Sequence, residues 1–138
     1  MEWTWKKLLG VCVFLILLVA TPVFLCSNPM MDFYQKRIDK DPDSENSRWL
    51  QLKTADICMK TMRPERAAEY YWRFLERYPE DPKRLYALLQ YGEALDECNR
   101  NKDAIEVFTQ VIEEYPGTEE AETARKGADR CKYVKPNR

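Results

Sequence analysis

The sequence of 138 residues contains no histidine. Histidine is the commonest general acid or base, a frequent zinc ligand and the usual partner of a nucleophilic serine or cysteine, so its absence removes these arrangements. The five cysteines include no C-x-x-C pair, which argues against a thiolate zinc site or a dithiol redox site. Composition therefore predicts that the protein is not an enzyme and that it binds no metal and no cofactor.

An excess of charge of either sign is also lacking, because 22 basic side chains nearly cancel 23 acidic ones. A protein that binds nucleic acid needs a basic surface that displaces counterions from the phosphates. Glycine is scarce, with 4 residues, whereas 8 prolines stand mostly between stretches of helical pattern. We therefore expect an α-helical protein whose partner is another protein or a peptide and not a nucleic acid.

A long apolar run lies near the N-terminus, where residues 8–26 carry no charged side chain. About 20 apolar residues in a helix cross a bilayer core, and the preceding Lys6 and Lys7 favour a cytoplasmic N-terminus. We expect a cytoplasmic segment at 1–7, a transmembrane signal anchor at 8–26, and the remaining chain on the periplasmic, extracytoplasmic side. Two alternatives stay open: a cleaved signal peptide of a secreted protein, and a lipoprotein lipidated at Cys26. A lipobox has an aliphatic residue three positions before its cysteine, and Val23 occupies that position relative to Cys26.

The remaining chain is predicted to be helical after a linker at 27–43, which contains one helical turn or two near residues 32–40. Apolar residues recur at helical spacing, and prolines or capping residues separate the stretches. This pattern predicts five helices, over residues 44–60, 64–78, 82–98, 102–115 and 118–132. The domain therefore covers 44–132, and a tail follows at 133–138.

The second and fourth of these helices are related by an internal duplication with a shift of 37 positions. The repeated residues are Ala67, Tyr71, Phe74, Leu75, Tyr78 and Pro79, which become Ala104, Phe108, Val111, Ile112, Tyr115 and Pro116. Their apolar members form one stripe of an α-helix. A repeat of this length indicates stacked helix–turn–helix units.

These residues resemble the consensus of the tetratricopeptide repeat (TPR) family, whose unit has about 34 residues. When each unit begins at Arg48 or Leu85, the small, aromatic and proline marks of the family fall twice on matching residues: Ala55, Ala67, Tyr71 and Pro79, then Gly92, Ala104, Phe108 and Pro116. The resemblance implies an all-α fold: a short TPR solenoid of two repeats and a capping helix, following an N-terminal transmembrane or signal helix.

Residues 104–121 are also similar to TPR proteins of bacterial envelopes, including the Tol–Pal-associated protein and the lipoprotein of β-barrel assembly. This similarity implies a membrane-tethered interaction module that binds a peptide or helix of an envelope partner in the concave groove of the repeats. The alternative is a structural subunit that self-associates, as a homo-oligomer, or completes its solenoid with a fixed partner.

In the TPR family the first helix of each unit lines that groove. The residues that match the groove positions are Trp49, Leu52, Asp56, Met59 and Lys60 in the first unit and Tyr86, Leu89, Glu93, Asp96 and Glu97 in the second. The second set is acidic and would suit a ligand with basic and apolar residues. A solvated surface is the ordinary alternative for any one of these charged residues.

The cysteines of the repeat region fall on comparable helices. On the TPR register Cys98 and Cys131 each lie near the end of a first helix in adjacent units, so the resemblance allows them to meet across the stack. A disulfide between them is predicted if the domain is exported to an oxidising compartment. Cys58 falls on a core position and is expected to be a buried thiol.

Overall fold

The computed structural model describes the backbone of residues 2–25 and 27–133 and the side chains of residues 4–20 and 27–133. Over these residues the fold is all α, with seven helices and no strand. The helices are α1 (Glu2–Leu25), α2 (Asn28–Lys40), α3 (Glu45–Lys60), α4 (Pro64–Arg77), α5 (Arg84–Glu97), α6 (Asn101–Glu114) and α7 (Glu119–Tyr133). The predicted all-α class and the five predicted helices of the repeat region are confirmed, whereas residues 134–138 of the predicted tail lie outside the described chain.

Helix α1 contains the apolar run and exposes it. The large apolar side chains between Leu8 and Val19 are about half exposed or more. Within the part of the chain that the structure describes, no helix combines the length and the apolar character that crossing a membrane requires. The predicted anchor also includes residues 21–26, whose side chains are outside that part.

The segment predicted as a linker forms helix α2, which packs against α3. Met31 and Ile38 lie two helical turns apart and are fully buried. The end of α2 is tied to the end of α4, where an Arg77 guanidinium nitrogen lies 3.0 Å from a carboxylate oxygen of Asp39. The helical turns predicted near residues 32–40 are thus part of a longer helix, because two apolar residues on one face gain a place in the core.

Helices α3 and α4 form one helix–turn–helix unit and α5 and α6 form the next, and the duplication extends to their turns. Met62 and Asn99, 37 positions apart, both have a left-handed backbone, with φ of 56° and 58°. After each of them the next backbone N–H donates a 2.9 Å hydrogen bond to the carbonyl five residues earlier. Such bonds occupy carbonyls that a helix end leaves without a partner.

The start of α5 differs slightly from the sequence prediction. The third helix was predicted over residues 82–98, but α5 begins at Arg84. The Asp81 carboxylate accepts a 2.8 Å hydrogen bond from the backbone N–H of Lys83, so it stabilises a turn that precedes the helix.

The core is a layer of aromatic side chains from α4 and α6 between small residues of the first helices. Tyr71 and Phe74 of α4 and Phe108 of α6 are almost fully buried. Helix α7 packs on both α5 and α6 and closes the array, as predicted for the capping helix. It contributes a stripe of small buried residues: Ala121, Ala124, Gly127, Ala128 and Cys131.

Candidate functional site

The predicted groove residues lie on α3 and α5, and hydrogen bonds join these two helices side by side. The Tyr86 hydroxyl of α5 donates to the Asp56 carboxylate of α3 at 3.0 Å. Nearer the start of both helices, an Arg48 guanidinium nitrogen lies 3.6 Å from a carboxylate oxygen of Asp81. We call the surface around these links the α3–α5 face and define it by its accessible residues Trp49, Lys60, Tyr86, Glu93 and Glu97.

The ten predicted groove residues divide by accessibility. Trp49 and Tyr86 are 53% and 42% exposed, and Lys60 and Glu97 are also exposed. Asp56, Met59, Glu93 and Asp96 are partly buried. Leu52 and Leu89, at 3% and 7% exposure, belong to the core and do not reach the surface of the groove. Each follows an exposed aromatic residue by three positions, a turn of about 60° away from it on a helix.

Asp56 is the polar centre of the α3–α5 face. Its Oδ1 accepts hydrogen bonds from the hydroxyls of Tyr71, at 2.7 Å, and Tyr86, at 3.0 Å. Burial is the main cause that raises the pKa of both phenols, and the Asp56 carboxylate raises it further, to about 12 for Tyr86. Asp56 therefore holds the exposed ring of Tyr86 in place, and its oxygen already has two donors.

A second carboxylate joins α5 to α7 in a similar way. Asp96 accepts a 2.7 Å hydrogen bond from Nε of Arg130 and lies 3.2 Å from the donating thiol of Cys131. Burial, followed by the hydrogen bond to Asp96, raises the pKa of Cys131 to about 11. Asp96 thus contributes to the packing of the cap more than to a free acidic surface.

Glu93 and Glu97 give the α5 side of the face its negative charge. They follow Tyr86 by 7 and 11 positions, so the three side chains share one side of the helix. Glu93 is partly buried and accepts a 3.1 Å hydrogen bond from Nε2 of Gln90. Burial raises its pKa, and the nearby Arg130 partly opposes that change.

An apolar cavity of about 260 Å³ opens at the start of α3 and α5, beside the exposed ring of Trp49. Pro82 and the edge of Phe74 supply further apolar wall, and the charged side chains stand around them. The complete lining is Glu45, Arg48, Trp49, Phe74, Asp81, Pro82 and Lys83. The sequence prediction found only Trp49 of this set, because the others come from a helix start and from a turn distant in sequence.

Three of the cysteines named in the sequence analysis lie in the repeat region. Cys98 and Cys131, between which a disulfide was predicted, are both free thiols in the structure. Cys131 donates instead to Asp96, on the helix that ends beside Cys98. Cys58 is fully buried, as expected. Cys26, the candidate for lipidation, lies outside the described residues. No group of side chains suited to a metal ion occurs in the part of the chain where they are described.

Comparison with known proteins agrees with the helical geometry. Residues 86–118 match the family model of the tetratricopeptide repeat. The matched range contains nearly all of α5, the whole of α6 and the turn that leads to α7, which together are the second predicted unit. No curated protein matches the sequence. The α5–α6 unit is therefore similar to a tetratricopeptide repeat, and the residues that the structure describes form an all-α fold.

Proposed function

We propose that the protein is an interaction module that binds a protein or peptide partner on the α3–α5 face. One observation carries the proposal: two large aromatic side chains, Trp49 and Tyr86, are exposed on neighbouring helices and border the same surface. The hydroxyl of Tyr86 is fixed by Asp56, so its ring is oriented before any ligand arrives. Oriented aromatic residues bind partners with little loss of side-chain entropy.

We propose binding rather than catalysis as the activity of this face. The sequence has no histidine, Oδ1 of Asp56 accepts two phenol hydroxyls, and Oδ2 of Asp56 lies 3.3 Å from Nζ of Lys53. A carboxylate that works as a general base needs a free oxygen within reach of a substrate proton. The arrangement of Asp56 suits a rigid surface better than proton transfer.

We also propose that α1 tethers the module to a membrane and that the repeats lie on the extracytoplasmic side, with a partner in the cell envelope. The exposed apolar side chains from Leu8 to Val19 support a lipid environment for α1, because large exposed apolar surfaces are unfavourable in water. Lys6 and Lys7 precede this surface, which favours an N-terminus on the cytoplasmic side.

Site-specific photocrosslinking in cells tests the binding proposal. A photoreactive residue replaces Trp49 in one variant and Trp72 of α4 in another, and the two tryptophans are similarly exposed, at 53% and 45%. Crosslinks to a discrete protein from position 49 and few from position 72 would support the α3–α5 face. Equal crosslinking from both positions would contradict it, and a second copy of the chain as the product would favour the structural-subunit alternative.

Extraction of membranes with alkaline carbonate tests the tether. The full chain is expected to stay in the membrane pellet, whereas Leu15→Arg with Ile16→Arg should release it, since charge within an apolar helix opposes insertion. Lys126→Ala, on the exposed part of α7, serves as the matched control and should leave the chain in the pellet. Full release of the unaltered chain would contradict the tether.

A further inference from the structure

We propose that the α3–α5 face binds an extended peptide in which one large apolar residue stands four to six positions from a lysine or arginine. This inference rests on the proposed function, because it names the chemistry of the partner that the face would take. It depends on an apolar cavity at one end of the face and on negative charge toward the other.

The cavity beside Trp49 is the place for the apolar residue. It measures about 260 Å³, its walls include the rings of Trp49, Pro82 and Phe74, and it is open to solvent. A large apolar side chain that enters it removes its own surface and the exposed ring of Trp49 from water. The charges around it, Glu45 and Asp81 against Arg48 and Lys83, balance one another, so the cavity itself gives no preference for a charged residue.

The opposite end of the face is negative where α5 borders α7. Glu93, Asp96 and Glu97 lie near Arg130, which is bound to Asp96, and these four side chains carry a net charge of −2. The exposed Lys60, at the end of α3, brings the net charge of this part of the face to −1. Among the described residues neither Glu93 nor Glu97 forms an ion pair within 4.0 Å, so a lysine or arginine of a partner meets carboxylates that lack a close cation.

Glu93 is the more informative of the two acids. It is partly buried, and burial raises its pKa, which means that ionised Glu93 is less stable here than in water. A basic residue placed against it would compensate this loss and would gain from the reduced exposure to solvent. In Glu93→Gln the neutral amide would avoid the cost of burying a charge and would offer no charge to a ligand.

The length of α5 sets the spacing. The cavity lies where α5 begins, and Glu93 and Glu97 follow Arg84 by 9 and 13 residues, which corresponds to about 14 and 20 Å along the helix. An extended chain advances about 3.3 Å per residue, so four to six residues join the two ends.

An extended ligand fits this surface better than a helical one. Side chains of α3 and α5 already meet through the hydrogen bond between Tyr86 and Asp56 and through the ion pair between Arg48 and Asp81. A helix is about 10–12 Å wide with its side chains and needs a groove of comparable width between its neighbours. The two links leave a shallow surface, which a single extended strand can follow.

Selection from a display library of random twelve-residue peptides, against the full-length protein in detergent, tests the inference. We expect enriched sequences with an aromatic or large aliphatic residue four to six positions from lysine or arginine. Enrichment of acidic or uncharged sequences whose binding is lost in Trp49→Ala would overturn the inference and leave the proposed function standing. If no sequence is enriched above a selection carried out without the protein, the proposed function fails together with the inference.

The variants locate the binding chemistry. For a selected peptide we expect Glu93→Gln combined with Glu97→Gln to weaken binding at least tenfold, and Trp49→Ala to do the same. Glu106→Gln combined with Glu113→Gln, on exposed positions of α6, should change the affinity less than twofold. Replacing the basic residue of the peptide by glutamate should abolish binding to the unaltered protein. Equal binding of the basic peptide and its glutamate counterpart would contradict the role of the two acids.

Discussion

The ring of Phe108 lies directly against Gly92, where even a Cβ atom does not fit unless the ring moves. A Cβ atom built on Gly92 would be 2.7 Å from Cε1 of Phe108. Gly127 of α7 approaches the other part of the same ring just as closely, with a Cβ distance of 2.7 Å to Cε2. One aromatic side chain of α6 thus fills the space that two glycines leave between α5 and α7.

We predict that Gly92→Ala lowers the free energy of unfolding by about 1–2 kcal/mol. Overpacking a core typically destabilises a protein by about 1–3 kcal/mol, and we expect the upper part of this range because Gly127 limits the movement of the same ring. The better helix propensity of alanine offsets about 1 kcal/mol of this loss. Chemical unfolding followed by circular dichroism measures the change. Gly10→Ala, where nothing lies within 4 Å, is the control and should cause no loss. A Gly92→Ala variant as stable as the unaltered chain would contradict the close packing.

Asp56 is predicted to matter for stability as well as for the orientation of Tyr86. Asp56→Ala leaves the hydroxyl of the fully buried Tyr71 without its charged acceptor, so we expect a loss of about 1.5–3 kcal/mol in unfolding free energy. Asp103→Ala removes only an exposed pair with Arg100 and should change stability by less than about 1 kcal/mol. Tyr71→Phe in the Asp56→Ala background should add little, and a fully additive loss would contradict the shared hydrogen bond.

The turn between α3 and α4 has an unfavourable residue. Met62 has φ of 56° and is 88% exposed, so its side chain contributes little packing to balance the left-handed backbone. Met62→Gly should therefore raise the unfolding free energy by about 1 kcal/mol and the melting temperature by several degrees. Asn99→Gly, at the equivalent turn, should gain less because asparagine tolerates this conformation. A larger gain at Asn99 than at Met62 would contradict this explanation.

The ionisation of Glu93 is predicted to reduce stability as pH rises. The folded-state pKa of this acid is raised, chiefly by burial, above its ordinary value of 4.5. Its contribution to stability is therefore fully present below that ordinary value and is lost as pH rises through the folded-state pKa. Glu93→Gln should melt at a higher temperature than the unaltered chain at pH 7, and the difference should shrink toward pH 4. A difference that grows toward acid would contradict the assigned direction.

The thiol of Cys131 is predicted to react slowly with alkylating reagents. Its pKa of about 11, against an ordinary value of 9.0, makes its thiolate about a hundredfold rarer near pH 8. Alkylation by iodoacetamide, followed by mass spectrometry, should label Cys131 more slowly than the partly exposed Cys98, and Asp96→Asn should accelerate the labelling of Cys131. The intact mass should not change when reductant is added, whereas a gain of two hydrogens would indicate the disulfide that the structure lacks.

Much of the fold could be predicted from the sequence because its signals are local. Prolines such as Pro64 and Pro79 mark helix boundaries, and the repeated spacing of Tyr71 and Phe108 identifies the two units. The sequence predicted only a turn or two of α2, because a short mixture of apolar and charged residues does not fix the length of a helix. The burial of Met31 and Ile38 depends on α3, which a short helical pattern alone does not reveal.

The sequence could predict the candidate site only for residues whose exposure depends on their position around a helix. Trp49 and Tyr86 lie on accessible surface, but Leu52 and Leu89 turn toward the core, a rotation that the repeat register does not specify. The cavity depends on the approach of Pro82 to Trp49 across 33 positions of sequence. The hydrogen bond from Cys131 to Asp96 likewise joins distant residues, and no spacing rule predicts it.

The most direct test of the central claim compares the indole N–H signals of Trp49 and Trp72 by nuclear magnetic resonance. The full-length protein in detergent, labelled with ¹⁵N, is titrated with the partner identified by crosslinking, and Trp49→Phe and Trp72→Phe assign the two signals. We predict that the Trp49 signal shifts or broadens in proportion to the partner bound and that the Trp72 signal stays in place. A shift of Trp72 with an unchanged Trp49 would place the partner elsewhere and would contradict binding at the α3–α5 face.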